Sequence, residues 1–326
     1  MLRGGGMISL DDLDEYHAEI KAPLRGEFRG RELLVMPPSS SGGILLLQML
    51  AMLERFPLDQ IARDPVAWPH LFTEVARRAY ADRAVHLGDP AFATVPEHGL
   101  LDPRYIEARA ATISLERATP SDSVAAGDAG RYESDQTTHL DVIDRAGNAV
   151  ALTTTLNDSF GSGIVVEGAG FLLNNEMDDF SAKPGVPNQF GLVGGEANAI
   201  APHKRMLSSV TPTFVDSGKR LMIGGSPGGS FIPGMVLLAT LDFMDGANAA
   251  AIVGHPRIHM QYLPDTVLYE PDALTPDEVA ALAAQGDTLK LSGRRWGNFQ
   301  AIVWDREAGK VEAASDPRVE GGASVE

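Results

Sequence analysis

Through the first third of the chain, apolar positions recur at helical spacing. The densest run spans residues 44–56, from Ile44 to Phe56, and stops at Pro57; it predicts a helix buried on most sides. Longer patterns predict helices over 66–87, ended by Gly88-Asp89-Pro90, and over 103–114. Ser9 and Asp12 stand at capping-box spacing before a short helical segment to Lys21. Residues 37–43 form a Pro/Ser/Gly loop, and 118–136 lose all apolar period, as an exposed linker does. Beyond that point the period becomes two. Residues 138–144 and 149–156, joined by Arg145-Ala146-Gly147-Asn148, predict a β-hairpin. Residues 210–215 with 220–223, and 299–305 with 311–315, predict two more. Gly-rich loops occupy 157–170 and 183–198. Helices are predicted over 233–245 and from the Thr275/Glu278 capping box, with Pro276 at its first position, to Gly286. Helices, then antiparallel strands and further helices, predict an α+β layered fold.

Charge narrows the function classes. The 326 residues carry 27 Lys and Arg against 44 Asp and Glu, a net charge of −17. Residues 1–136 hold 14 basic and 21 acidic side chains, and 137–326 hold 13 and 23, so the acidity is spread along the chain. A nucleic-acid binder needs a basic footprint, and none is visible. Adhesion to anionic membranes is equally disfavoured. No run reaches the ~18 apolar residues of a membrane span. The absence of Cys excludes disulfides, thiolate metal sites and Cys nucleophiles. Met1–Gly6 shows no apolar export core, so no export signal is expected in this segment.

Several clusters have chemistry to offer. Thr137 and Thr138 stand where the polar linker meets a strand. A Thr that becomes the first residue of a chain uses its own α-amine as base, which would need a cut between Gln136 and Thr137; strand propensity alone also places Thr here. Gly224-Gly225-Ser226-Pro227-Gly228 matches a nucleophile elbow, but Pro227 has no N–H for the oxyanion. The Gly228-Gly229 pair offers N–H groups to an anion, or is a plain turn. Glu176, Asp178 and Asp179 suit a cation or an amine, or form a solvated turn. Ser208 and Ser209 suit a carboxylate, or simply start a strand. His255 and His259 have helical spacing, but Pro256 lies between them and no third ligand is apparent, so no metal or organic cofactor is implied.

Taken together, these segments resemble the γ-glutamyltranspeptidase (glutathione hydrolase) family. The likeness runs through Thr137-Thr138-His139, Gly147-Asn148-Ala149-Val150, Leu156-Asn157, Phe160-Gly161-Ser162-Gly163 and 172–180, Leu-Leu-Asn-Asn-Glu-Met-Asp-Asp-Phe. It continues in 183–188, Leu207-Ser208-Ser209 and Gly225–Ser230, with 36–43 and Ala79-Tyr80-Ala81-Asp82-Arg83 upstream. The resemblance implies an N-terminal-nucleophile hydrolase, an αββα sandwich incomplete on its N-terminal side. Residues 1–136 would be the C-terminal part of a large subunit, mostly helical and ending in the linker. Residues 137–326 would be the small subunit, mostly antiparallel sheet plus helices. By the same resemblance, self-cleavage at Gln136/Thr137 frees the nucleophile Thr137. Thr155 would bond to it, and Gly228 and Gly229 would form the oxyanion hole. Asn157, Glu176 and Asp179 would hold the substrate α-amine, Ser208 and Ser209 its α-carboxylate, and Phe190 would sit in the lid loop.

The implied reaction cleaves γ-glutamyl compounds such as glutathione and passes the acyl group to water, an amino acid or a peptide. The implied partners are the two subunits themselves, and the implied location is periplasmic or secreted. The family's carboxylate-binding Arg motif has no match before Thr137 and is expected to precede this segment. A related acylase, a poly-γ-glutamate depolymerase, or an inactive or split-gene remnant acting only as a binding unit are the alternatives.

Overall fold

The computed structural model describes residues 5–124, 137–189 and 191–326, with Thr137 described by its backbone alone. The Gln136 and Phe190 assignments, and most of the linker, lie outside the described residues.

Two strands that the sequence pattern had not disclosed open the sheet. After α1 (Leu10–Glu15), β1 (Leu24–Phe28) and β2 (Arg31–Val35) pair antiparallel. Arg29 and Gly30 both take positive φ, the two-residue turn that suits the twist of a hairpin. Arg-Gly is a weak turn signal, and the strands are short. The capping box at Ser9 forms as expected, but α1 ends at Glu15 because it buries no residue.

α2 (Gly42–Leu53) is buried at every residue except Ala51, as its nearly continuous apolar sequence requires. It packs between β1, α4 (Ala67–His86) and, later in the chain, α7 (Ile232–Met244). The short α3 (Leu58–Ile61) and α5 (Glu97–Leu100) and the two-turn α6 (Pro103–Ala110) complete this helical layer. α6 stops four residues short of the expected end, where its last carbonyls face the side chain of Arg78.

The hairpin of β3 (Thr137–Ile143) and β4 (Ala149–Thr155) places Thr137 directly across from Thr155. β5 (Thr213–Asp216) and β6 (Arg220–Gly225) form the next hairpin. α8 (Ala249–Gly254) follows α7. β7 (Ile258–His259), β8 (Val267–Tyr269) and β9 (Leu289–Leu291), with α9 (Pro276–Gln285), make a small satellite sheet. The capping box at Thr275 and the left-handed Gly286 bound α9 as the sequence predicts. β10 (Gln300–Asp305) and β11 (Lys310–Ser315) close the main sheet, whose order is β1-β2-β5-β6-β10-β11.

Three layers result. The helices cover one face of the six-stranded sheet, and β3–β4 lies on the other, against β6 and β10. Leu221, Ile223 and Ile302 seal that second interface with Ile143, Ala149 and Ala151. The register β2–β5 joins residues on both sides of the linker in one sheet, and one apolar core draws on both. The outward face of the hairpin, with Leu140, Val142, Val150 and Leu152, is exposed. Among the described residues, no helix is long and apolar enough to cross a membrane.

Candidate active site

A narrow cleft opens at the end of β4. It holds about 340 Å³ of space out to its mouth and is lined by Thr155, Asn157, Asp179, Ser208, Ser209 and Gly229, together with Ser230 and three apolar neighbours. Six residues singled out in the sequence thus meet here from four separate segments. Glu176 opens the short turn that ends in Asp179, and Gly228 directly precedes Gly229.

Thr155 ends β4, and its Oγ1 accepts the backbone N–H of Asn157 at 2.8 Å. That bond holds the chain where it turns sharply. Asn157 sits at φ +73°, a left-handed conformation that Asn tolerates better than most residues. Its Nδ2 donates to the carbonyl of Asn175 at 3.3 Å, and the N–H of Asn175 donates to the carbonyl of Leu156 at 3.0 Å. The 155–158 and 174–176 segments are therefore tied together.

The short 3₁₀ turn Glu176–Asp179 follows directly. Burial pushes the Glu176 carboxyl up to about 7. Burial also pushes Asp179 up to about 7, and the nearby Glu176 charge adds to it while Arg83 opposes it. Among the described residues neither carboxyl has an ion-pair partner within 4.0 Å, and the Arg83 charge reaches Asp179 only from farther off. Asn198 Nδ2 donates to the Asp179 carbonyl at 2.7 Å, which anchors the turn to the loop at 183–198. Within that loop, the Gln189 N–H donates to Asp178 at 3.0 Å, and Leu192 lines the cleft.

Ser208 and Ser209 are held by the loop that precedes α2. Ser208 N–H donates to the Ser39 carbonyl at 3.0 Å, and Ser41 N–H donates to the Ser208 carbonyl at 2.9 Å. Ser41 Oγ donates to the same carbonyl at 2.8 Å, and Ser40 Oγ to that of Val210 at 2.7 Å. The close approach needs Gly42, since a Cβ there would lie 2.7 Å from the Val210 carbonyl oxygen.

Gly228 and Gly229 follow β6 with φ of +137° and +50°, so the first excludes a side chain on backbone grounds. They open a 3₁₀ turn, Gly229–Phe231, that runs into α7. The Tyr80 hydroxyl bonds to the Ser230 carbonyl and fixes the turn against α4. Ser226, the serine of the elbow-like motif, is buried and donates to the Pro227 carbonyl at 2.7 Å, so it is not presented to the cleft.

The sequence reading placed Arg83 and Ser41 in family-like stretches but gave neither a role. Arg83 is buried behind Ser209 on α4. The available signal was a charged residue on the face that also carries Ala76, Ala79 and Tyr80, all buried. His255 and His259 go elsewhere. His255 lies 2.8 Å from Asp242, and buried His259 bonds to Gln261 and stacks on Phe231.

Comparison with known proteins follows this geometry. The family model described as Gamma-glutamyltranspeptidase matches residues 1–326. The glutathione hydrolase proenzyme of Escherichia coli (strain K12) is 44% identical over 320 residues, which covers 98% of this chain and 55% of that protein. The glutathione hydrolase proenzyme of Pseudomonas aeruginosa is 43% identical over 327 residues, covering 98% and 58%. The chain spans about half the length of the curated relatives it matches. Cephalosporin acylase from Bacillus halodurans superposes with a TM-score of 0.82 at 24% identity, over 98% of this chain and 56% of that one. The γ-glutamyltranspeptidase from Pseudomonas nitroreducens complexed with L-DON is 46% identical, with a TM-score of 0.54 over 58% of this chain and 98% of that chain. The fold is α+β, of the αββα N-terminal-nucleophile hydrolase kind, with two strands described in its second sheet. A family match along the full sequence, close relatives over nearly all of it and a shared fold place this chain in the γ-glutamyltranspeptidase family.

Proposed function

We propose that this chain carries the reaction site of a self-cleaving γ-glutamyl hydrolase and transferase. The observation that carries this reading is the gathering of Thr155, Asn157, Asp179, Ser208, Ser209 and Gly229 around one cleft, at the strand end paired with Thr137. Two carboxyls with no ion-pair partner within 4.0 Å among the described residues, together with two serines, suit a headgroup with an ammonium and a carboxylate.

In this mechanism the chain cuts between Gln136 and Thr137. The freed α-amine of Thr137, with a reference pKa near 8, takes the proton of its own hydroxyl. The hydroxyl oxygen attacks the γ-carbonyl of the substrate. N–H groups of Gly228 and Gly229 stabilise the oxyanion, a contribution of about 3 kcal/mol per donor. The amine leaves with the proton, and a γ-glutamyl ester remains on Thr137. Water, an amino acid or a peptide then attacks the ester and restores the hydroxyl.

The size of the pieces supports the cut. The 190 residues from Thr137 onward are 58% of the chain, the same share that the Pseudomonas nitroreducens chain matches over 98% of its own length. The pieces are expected to stay together, because β2 and β5 pair and the core is shared. Intact mass and N-terminal sequencing after incubation, followed by a γ-glutamyl p-nitroanilide and glutathione assay, test the whole reading. A second piece beginning Thr137-Thr138-His139 and released p-nitroaniline are the expected results. An uncut chain without turnover would reduce it to a binding unit.

The raised carboxyls give a pH prediction. With both near 7, the free folded chain holds extra protons between pH ~4 and ~7. These groups therefore cost stability as pH rises through 7, and a bound ammonium removes that cost. L-Glutamate is expected to bind about tenfold more weakly at pH 6 than at pH 8. Titration calorimetry across that range checks it; affinity that stays flat would remove Glu176 and Asp179 from the amine site.

A further inference from the structure

Arg83 is a buried guanidinium without an ion-pair partner within 4.0 Å among the described residues, although it sits on a helix dense with charge. Its neighbours on α4 are paired. Arg77 and Arg78 share Glu74, and Asp82 faces Arg109 at 2.8 Å and the Tyr105 hydroxyl at 2.8 Å. Arg83 instead donates from Nε to Ser41 Oγ at 3.0 Å and from Nη2 to Ser209 Oγ at 3.4 Å. Burying a cation with only neutral partners is unfavourable unless an anion comes near in the working state. Asp179, across the cleft, is the carboxyl whose charge reaches it.

The direction of these bonds matters. A hydroxyl that accepts from Arg has its own proton left to donate. Ser41 spends that proton on the Ser208 carbonyl. Ser209 lines the cleft, so its proton is available to a ligand oxygen there. Polarisation by the guanidinium strengthens such a donor.

We infer that Arg83 sets the charge selectivity of the cleft: it keeps Ser209 as a donor and supplies the buried positive charge that the carboxylate of an amino-acid headgroup neutralises. This rests on the reading of the cleft as a headgroup site. Arg83 acts through Ser209 and through its field, so it is a positioning residue.

The test is calorimetric titration of the 326-residue chain with two probes, L-glutamate and 4-aminobutyrate. The second keeps the amine and the γ-carboxyl but lacks the α-carboxylate. The wild type is expected to prefer L-glutamate. Arg83→Gln is expected to weaken L-glutamate binding at least tenfold and to leave 4-aminobutyrate nearly unchanged, while Arg83→Lys restores part of the preference. Equal weakening of both probes, or none, would overturn the inference. Should Arg83→Gln not fold, Ser209→Ala carries the test, with the same selective loss expected and an unselective one fatal. A wild type that prefers L-glutamate, loses that preference in Arg83→Gln and turns over no γ-glutamyl anilide supports Arg83 while removing the proposed reaction. A wild type without that preference overturns the Arg83 inference whatever the turnover.

Discussion

A Thr137→Ala chain is expected to stay whole at 326 residues and to turn over a γ-glutamyl anilide at least about 10,000-fold more slowly than the wild type. Both losses follow from one atom. In the proposed mechanism the same hydroxyl attacks the Gln136 carbonyl in maturation and the γ-carbonyl in turnover, so alanine removes the nucleophile from both steps. In that mechanism the cut also creates the base, since the α-amine of residue 137 does not exist before cleavage. Thr137→Ser is the informative companion, because it keeps a hydroxyl and an amine and should still cut, more slowly. Mass spectrometry over a day of incubation separates the cases. An alanine variant that still yields pieces of 136 and 190 residues would sink the mechanism.

The second large effect concerns stability, far from the cleft. Glu270 is wholly buried. Its carboxylate accepts from the N–H of Trp296 at 2.9 Å and of Arg257 at 3.0 Å, and pairs with Arg318 at 2.6 Å. Asp316 pairs with Arg318 at 3.0 Å as well and also with the Arg257 guanidinium at 2.6 Å. Glu270→Ala leaves two buried guanidinium groups sharing one carboxylate, and two backbone N–H groups lose their acceptor. Breaking a buried pair from one side costs about 3–5 kcal/mol. For a chain this long, that corresponds to a fall in Tm of roughly 4–7 °C. Glu270→Gln keeps an acceptor and should lose less. A change under about 1 kcal/mol in urea unfolding would show that the group contributes little net stability.

Much of this molecule could be read without coordinates where one short segment decides the outcome. The β3–β4 hairpin followed from strict alternation around a Gly-Asn turn, and its bounds shifted by one residue at each end. The capping boxes at Ser9 and Thr275 formed because each is a contact between residues three apart. β1 and β2 escaped because Arg-Gly is a poor hairpin signal and because β2, the strand that holds β1 in the sheet, is itself stabilised by β5, about 180 residues away in sequence.

The site residues divide in the same way. Thr155, Asn157, Asp179, Ser208, Ser209 and Gly229 could be named from motif likeness, because their types and order persist along the chain. Arg83 could not be singled out. Its importance lies in having no ion-pair partner within 4.0 Å among the described residues while bonding to Ser41 and Ser209, and both facts depend on how α4 packs against the loop before α2.

The sequence by itself determined the α+β class, most helices, the three hairpins it foretold and the identity of the candidate chemistry, since these rest on local period, capping and residue type. Only the tertiary structure decided that six of those residues share one cleft, that Glu176 and Asp179 are raised to about 7, and that a lone guanidinium stands behind the serines. Desolvation and long-range charge depend on what surrounds a group in space, and spacing along the chain does not encode that.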